Sequence, residues 1–510
     1  MTAWNVNADA WVVLRLPSDT RKILEVIPNS VIDIGKFGSF AANQILGRPY
    51  HLTYDIQADG NLRRVPACEL NAEALEDETS PTESHDERTE PTTEVSRVLM
   101  EVTKVLQKDN RQTIDDTSRQ TLSMEEIEEL KKARTDAGKG VIAKILASHT
   151  NLDEKTRFSL AKYSLRKSKK YLRRFTVLPI GVPTIANWML EKDAARTMEL
   201  REETLGLIRT WSNVHHGRGR WLVVDETAGL VTAALADSMD ILRKRNEEDL
   251  YGSEIELMSQ TNGNHSMSLE SLAATTNTLT IVHQNAQPNL AMLKYFGYDL
   301  NGPDKAHPLY SHLKTLTWLQ ICDPASDPTY TEPEVVPEAT LQTWKSTKRG
   351  IYHYKRRRWQ RCKFIVDEAI AGEFDGLVVA SPMDPCSILR KLVPLLKGGG
   401  HVVVYSPTIE PLQGLVDIYS KDRKAAYMQH LTSNEEPAIE DFPVDPRLLL
   451  APDIHTSRVR DWQVLPGRTH PMMTSRGGAD GFLFFARKVI PAEGQVAARG
   501  NFAKKAKVVG

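Results

Sequence analysis

The chain has 510 residues and a formal net charge of −1, with 41% hydrophobic and 26% charged residues. That length exceeds one ordinary core, so two domains plus linkers are expected, and no apolar run approaches the roughly 18–20 residues of a membrane span. Cys68, Cys322, Cys362 and Cys386 lie far apart without a CxxC pair, which argues against a zinc site or disulfide framework.

The start, "MTAWNVNADAWVVLRLPSD", has no basic region followed by a long apolar core, so an intracellular protein without a secretory signal is expected. Residues 11–57 read as β. The runs "WVVLRL", "RKILEVI", "SVIDIG" and "YHLTYDI" are separated by "PSD", "PNS", "GKFGSF" and "GRP", whose Gly, Pro and Asn suit turns. A small antiparallel β-domain over 1–70 fits. Residues 71–120 read as an acidic, disordered linker, because the stretch 71–96 is rich in Pro, Ser, Thr and Glu with little to bury.

A helical connector is expected over 121–200. Ser123 followed by Glu126 forms a capping box, and Ile127 and Leu130 begin a helical stripe. The next helix ends in base, after which Pro179 and Pro183 interrupt the pattern. From 201 to 490 a doubly wound α/β domain is expected. Its strand candidates are 221–225, 279–283, 376–380 and 401–405, mainly apolar without alternation, as suits a parallel sheet covered on both faces. Helices are expected at 229–242, 288–296 and 385–396. Residues 459–489 read as a terminal antiparallel strand pair, the class I methyltransferase variant of the fold; 252–277 and 323–345 read as surface insertions, and 491–510 as a basic tail.

In such a fold the first strand and turn hold the cofactor, S-adenosylmethionine, and the turn needs glycines so that backbone can approach the ligand. The turn Glu226-Thr227-Ala228-Gly229-Leu230 has one glycine. The second strand runs into His283-Gln284-Asn285, with no carboxylate for ribose hydroxyls. The fourth ends in Ala380-Ser381-Pro382, with Asp384 two residues further on. The framework is kept and three ligand positions are lost, so no cofactor is expected in this chain. His215 and His216, beside Gly217 and the Arg218/Arg220 pair, read as a solvated turn or phosphate contact and His470 as structural, and neither a metal site nor a nucleophile with an adjacent base is recognisable.

The net charge hides segregation. Acid concentrates in 71–96, and base in "LRKSKKYLRR" (Arg166, Lys167, Lys169, Lys170, Arg173, Arg174), in "YKRRRWQRCK" (Lys355, Arg356, Arg357, Arg358, Arg361, Lys363) and in the tail. Cations interleaved with Tyr171, Tyr352, Tyr354 and Trp359 suit RNA phosphates and bases. Lys36 and Arg48 add to the set on turns of the small domain. The alternative is a solvated helix face or a nuclear localisation signal.

The stretches 31–56 ("VIDIGKFGSFAANQILGRPYHLTYDI"), 121–132, 165–179 and 462–473 ("WQVLPGRTHPMM") resemble the non-catalytic subunits of eukaryotic tRNA (adenine 58-N1)-methyltransferases. The resemblance spans most of the chain outside the linker and insertions. It implies a small N-terminal β-domain and a Rossmann-like methyltransferase domain with a degenerate cofactor site. It further implies a nuclear heterotetramer of two such chains with two catalytic chains, in which the catalytic partner binds S-adenosylmethionine. The active relatives carry a carboxylate in an Asp-Leu-Pro stretch, where this chain has Ala380-Ser381-Pro382. The chain is thus expected to grip tRNA without being an enzyme on its own. The competing readings are a stand-alone RNA methyltransferase and an RNA-binding subunit with no role in methylation.

Overall fold

The computed structural model describes residues 5–70, 122–132, 138–148, 157–244, 273–433, 437–460, 462–465, 468–472 and 479–492. The expected linker 71–120, most of the insertion 252–277 and the tail from 493 lie outside these residues. Two compact units divide the chain: Met1–Gly181 with Arg460–Ser475, and Val182–Val459 with Arg476–Gly510.

In the first unit, β1 (Trp11–Arg15) and β2 (Arg21–Glu25) form the first hairpin, β3 (Val31–Asp33) and β4 (Ser39–Ala41) the second, and β5 (Thr53–Ile56) and β6 (Leu62–Arg64) the third. Among the described residues, α1 (Met124–Lys132), α2 (Lys139–Ala147) and α3 (Arg157–Tyr171) follow. The capping box is present at α1, where the Ser123 N–H donates to Glu126 Oε2 (2.8 Å) and the Glu126 N–H to Ser123 Oγ (3.2 Å).

The basic helix stops at Tyr171, and Arg174–Pro179 forms β7. The sheet runs β2-β1-β7-β5-β6, so β7 is its central strand, pairing Val177 with Leu14 and Phe175 with Tyr54. The expected 121–200 connector is therefore split. A strand with neighbours on both sides carries the chain back into the N-terminal sheet before the chain first leaves this unit at Gly181. Phe175 stacks on Phe40 at 4.6 Å between ring centroids, among buried Val12, Leu14, Ile45 and Ile56. Each such side chain contributes about 1.5–3 kcal/mol on burial.

The second unit begins with α4 (Val182–Lys192) and α5 (Glu202–Ser212). Then come β8 (Arg220–Asp225), α6 (Leu230–Ser238), β9 (Thr278–His283), α7 (Leu309–His312), β10 (Leu313–Thr317) and α8 (Trp318–Cys322). After α9 (Glu338–Thr343) and the long α10 (Ser346–Ala371) follow β11 (Phe374–Ala380), α11 (Pro385–Leu392), β12 (Leu396–Ser406), α12 (Glu410–Ile418), α13 (Lys421–Thr432) and β13 (Leu449–His455). The expected helix at 288–296 is a 3₁₀ turn, Ala291–Phe296.

The chain then adds β14 (Trp462–Leu465) and β15 (Arg468–Pro471) to the first unit, and finishes the second with β16 (Phe482–Lys488). The sheet order is β10-β9-β8-β11-β12-β16-β13. The first five strands are parallel, and β16 runs antiparallel to both β12 and β13. The terminal antiparallel element exists, but its partners differ from expectation: β16 pairs with β13, while 462–465 pairs with β15 in a separate hairpin. In register, Val223 faces Val378, which faces Val403, which faces Phe485. Leu222, Leu377, Val379, Val402, Val404 and Phe484 belong to one buried cluster with Ile388 and Leu415 from the covering helices. No helix among the described residues is long and apolar enough to cross a membrane.

Candidate functional site

Open α/β sheets bind ligands beyond the carboxyl ends of the strands where the strand order reverses, here between β8 and β11. The turn after β8 is closed on itself. Asp225 is buried, and its two carboxylate oxygens receive four hydrogen bonds. The Thr227 N–H (2.8 Å) and hydroxyl (2.6 Å) donate to Oδ1, and the Thr232 N–H (2.8 Å) and hydroxyl (2.6 Å) to Oδ2.

The first amides of α6 have internal acceptors as well. Leu230 N–H donates to the Thr227 carbonyl, Val231 N–H to Thr227 Oγ1 and Ala233 N–H to the Gly229 carbonyl. Those N–H groups are what would make a helix N-terminus an anion site. The turn is also filled. Thr227 and Ala228 are fully buried, Ala228 sits at φ +58°, and Met292 N–H donates to the Ala228 carbonyl. At Gly229 (φ +88°) a Cβ would lie 2.9 Å from Leu290 Cα, so its glycine serves chain packing.

The other strand ends follow the same pattern. His283, buried at the end of β9, has its Nδ1 2.7 Å from the Asn285 carbonyl, and burial lowers its pKa below the usual histidine value. Thr317, the last residue of β10, caps α8 in a capping box with Gln320. After β11, Ser381 Oγ accepts from Met383 N–H, and Asp384 accepts from Ser387 N–H (2.9 Å) as the cap of α11. Glu226, whose pKa burial and then Asp225 raise, donates its N–H to the Ala380 carbonyl (2.8 Å) across the β8–β11 reversal. Sequence reasoning found the lost glycines but missed the role of Asp225. The spacing Asp225, Thr227, Thr232 was the available signal.

The histidines singled out in the sequence have local partners. His215 Nδ1 lies 2.9 Å from the Asn213 carbonyl, His216 Nδ1 3.0 Å from that of Met239 and His470 Nδ1 3.1 Å from that of Pro471. Among the described residues no group of His, Cys, Asp or Glu could hold a metal ion.

The two basic stretches divide into exposed and engaged cations. On α3, Arg166 is exposed, Lys167 lies over the Tyr163 and Tyr171 rings, Lys170 over Tyr171, and Lys169 pairs with Asp19 (2.7 Å). Arg173 gives its carbonyl to Ile56 N–H. Arg174, expected as an RNA contact, points inward. It is buried on β7 and forks onto Asp55, itself fully buried, at 2.7 and 3.2 Å. Lys36 and Arg48 are exposed on turns, Lys36 lying over the Phe37 ring.

The second stretch lies on α10, whose 26 residues span about 39 Å. Lys355, Arg357 and Arg358 are exposed and make no ion pair among the described residues. Arg356 pairs with Glu332 (3.4 Å), Arg361 donates to the Tyr310 carbonyl (2.8 Å), and Lys363 pairs with Asp367 (3.3 Å). The aromatics expected to stack on bases have structural partners instead. Trp359 Nε1 donates to the Tyr330 carbonyl (2.9 Å), and Tyr352 accepts from Val336 N–H (3.1 Å). Both strap the 323–345 segment along the helix. Tyr354 remains exposed.

The family model described as the Gcd10p family matches residues 5–345. Among curated proteins, the chain is 46% identical over 557 residues to the tRNA (adenine(58)-N(1))-methyltransferase non-catalytic subunit trm6 of Aspergillus fumigatus, covering 98% of this chain and 94% of that protein. It is 44% identical to the subunit of the same name from Aspergillus oryzae (99% and 96% covered), and 30% identical to that of Schizosaccharomyces pombe (99% and 96%). Similar solved structures include a SAM-dependent O-methyltransferase from Thermotoga maritima (TM-score 0.42, 10% identity, 97% and 98% covered) and the tRNA (m1A58) methyltransferase TrmI from Aquifex aeolicus (TM-score 0.40, 10% identity, 96% and 100% covered).

Proposed function

The chain belongs to the Gcd10p family and is a non-catalytic subunit of a tRNA (adenine-N1)-methyltransferase, and from that premise we propose how it divides the work with its catalytic partner. This chain binds tRNA by its phosphates and leaves S-adenosylmethionine to the partner, in a nuclear assembly of two chains of each kind. The observation that carries the reading is the Asp225 turn. Its amides, which would receive an anionic ligand, already donate to Asp225, Thr227 and Gly229. The strand-end residues that could assist caps or turns are engaged in the same way.

The partner therefore supplies the methyl donor and its chemistry, and this chain supplies charge and shape. Target adenines must be exposed from folded RNA before transfer, which favours an assembly that grips the RNA away from the reacting base. Calorimetric titration of S-adenosylmethionine should give no heat with this chain alone and about one site per partner chain with the complex. Saturable binding to the isolated chain would sink the division of labour.

Backbone recognition rests on the exposed cations Lys36, Arg48, Arg166, Lys170, Lys355, Arg357 and Arg358, with the half-buried Lys167 beside them. Each phosphate contact releases counterions and adds to the salt dependence. Replacing Lys355, Arg357 and Arg358 together by alanine should weaken tRNA binding on the order of 10–100-fold near 0.15 M salt and reduce the salt slope by about two to three. The melting temperature should hold, since none of the three has an intramolecular ion pair among the described residues. Unchanged affinity and slope, measured by fluorescence anisotropy with a labelled tRNA, would remove α10 from the interface.

A further inference from the structure

The N-terminal unit holds a cleft of about 330 Å³ between the segment 44–52 and the β5–β6 hairpin, lined by Gln44, Arg48, Pro49, Leu52, Tyr54, Leu62 and Arg64. Ligand sites run from about 300 to 1,000 Å³, so this one suits a small occupant. Its composition is specific. Arg48 and Arg64 are exposed guanidiniums without an intramolecular acceptor among the described residues, whereas the neighbouring Arg63 is tied to Asp55 and Glu69. Pro49, Leu52 and Leu62 supply apolar wall. Gln44 is already satisfied, donating to the Gly60 carbonyl and accepting from Leu62 N–H.

Tyr54 is the informative residue. It is 5% exposed, lies directly opposite Arg64 in the β5–β6 register, and packs its ring on Phe175. Its hydroxyl is buried without a hydrogen-bond partner among the described residues. A buried hydroxyl left unpaired costs free energy that a fold normally avoids, so such a group beside a cleft calls for an explanation. Burial raises its pKa, against the pull of Arg48 and Arg64, so at neutral pH it is an O–H donor within the field of both cations.

Two guanidiniums, one unpaired donor and an apolar wall match a phosphate joined to something flat and apolar. A duplex backbone is convex and has no such apolar part, while an unstacked nucleotide presents both. We infer that the Arg48–Tyr54–Arg64 cleft is a subsite for one unpaired, phosphate-bearing nucleotide of the bound RNA. The inference rests on the tRNA-binding reading and adds a specific pocket to the diffuse backbone contacts.

The test uses the full chain with its catalytic partner, a labelled tRNA transcript, and the variants Tyr54→Phe and Arg64→Ala. Tyr54→Phe removes only the hydroxyl. Affinity should fall about 3–10-fold, while the melting temperature stays level or rises because no intramolecular bond is lost. Arg64→Ala should cost a similar factor and flatten the salt slope by about one. The double variant should lose less than the product of the two, since both act on one ligand. Wild-type affinity and slope in both variants would overturn the subsite and leave the tRNA-binding reading intact. A loss confined to Arg64→Ala would mark an ordinary surface phosphate contact and also overturn it. A lower melting temperature in Tyr54→Phe would assign the hydroxyl an internal role, with the same consequence. A wild-type complex that binds no tRNA would remove both readings together.

Discussion

Asp225→Ala should destabilise the second unit by roughly 3–5 kcal/mol, more than any single change on the basic surfaces. The carboxylate accepts from two amides and two hydroxyls, and Thr227 and Thr232 are themselves fully buried. Removing it strands all four donors away from water, at about 1–3 kcal/mol for each before relaxation. Asp225→Asn should cost less, since one oxygen still accepts while the new NH₂ meets donors. Urea denaturation of the full chain measures both. A loss below about 1 kcal/mol for alanine would show that the carboxylate does not hold the turn. Neither variant should gain S-adenosylmethionine binding, because Thr227, Ala228 and the Leu290 backbone still fill the space.

The second large effect separates folding from RNA binding. Arg174→Ala should destabilise the N-terminal unit by roughly 2–4 kcal/mol, because it leaves the fully buried Asp55 with Arg63 as its one remaining ion-pair partner among the described residues. Glu69, held by Arg63 and Lys139 at a pKa of about 2, shares that network and would be disturbed with it. Under conditions where the variant is folded, tRNA affinity should match wild type. The opposite pattern, normal stability with weakened binding, would return Arg174 to the interface.

These two residues also mark where the sequence was legible and where it was not. Strands β8, β9, β11 and β12 could be read because a parallel strand covered on both faces must be apolar throughout, as Val223, Val378 and Val403 are. Strand β10 escaped because Lys314 lies in it, a fully buried lysine paired with Glu368. Strand β13 escaped because Pro452 and Asp453 break its pattern at the sheet edge, where the register with β16 shifts. Strand β7 was hidden by charge. Arg173 and Arg174 continue a basic run, and nothing local reveals an aspartate 119 residues earlier that draws the second of them inward.

The candidate site divides in the same manner. The loss of glycines at 226–229 is a local fact of residue type, visible without a structure. That Asp225 takes over the vacated hydrogen bonds depends on the turn geometry. The cations on α10 were countable, but which of them face solvent depends on where Tyr310, Tyr330 and Glu332 arrive. Arg64, beside the unpaired Tyr54 hydroxyl, drew no notice because one arginine in "NLRRVP" is unremarkable as sequence.

The division of the chain has a practical consequence for dissecting it. The first unit owns residues 460–475 as well as 1–181, so the polypeptide crosses from one unit to the other three times. A fragment ending at residue 181 would lack the β14–β15 hairpin, and one starting at 182 would carry that hairpin without its own unit. Genetic truncation at the obvious midpoint therefore yields two incomplete pieces. Assigning tRNA affinity to one half or the other requires point substitutions in the intact chain.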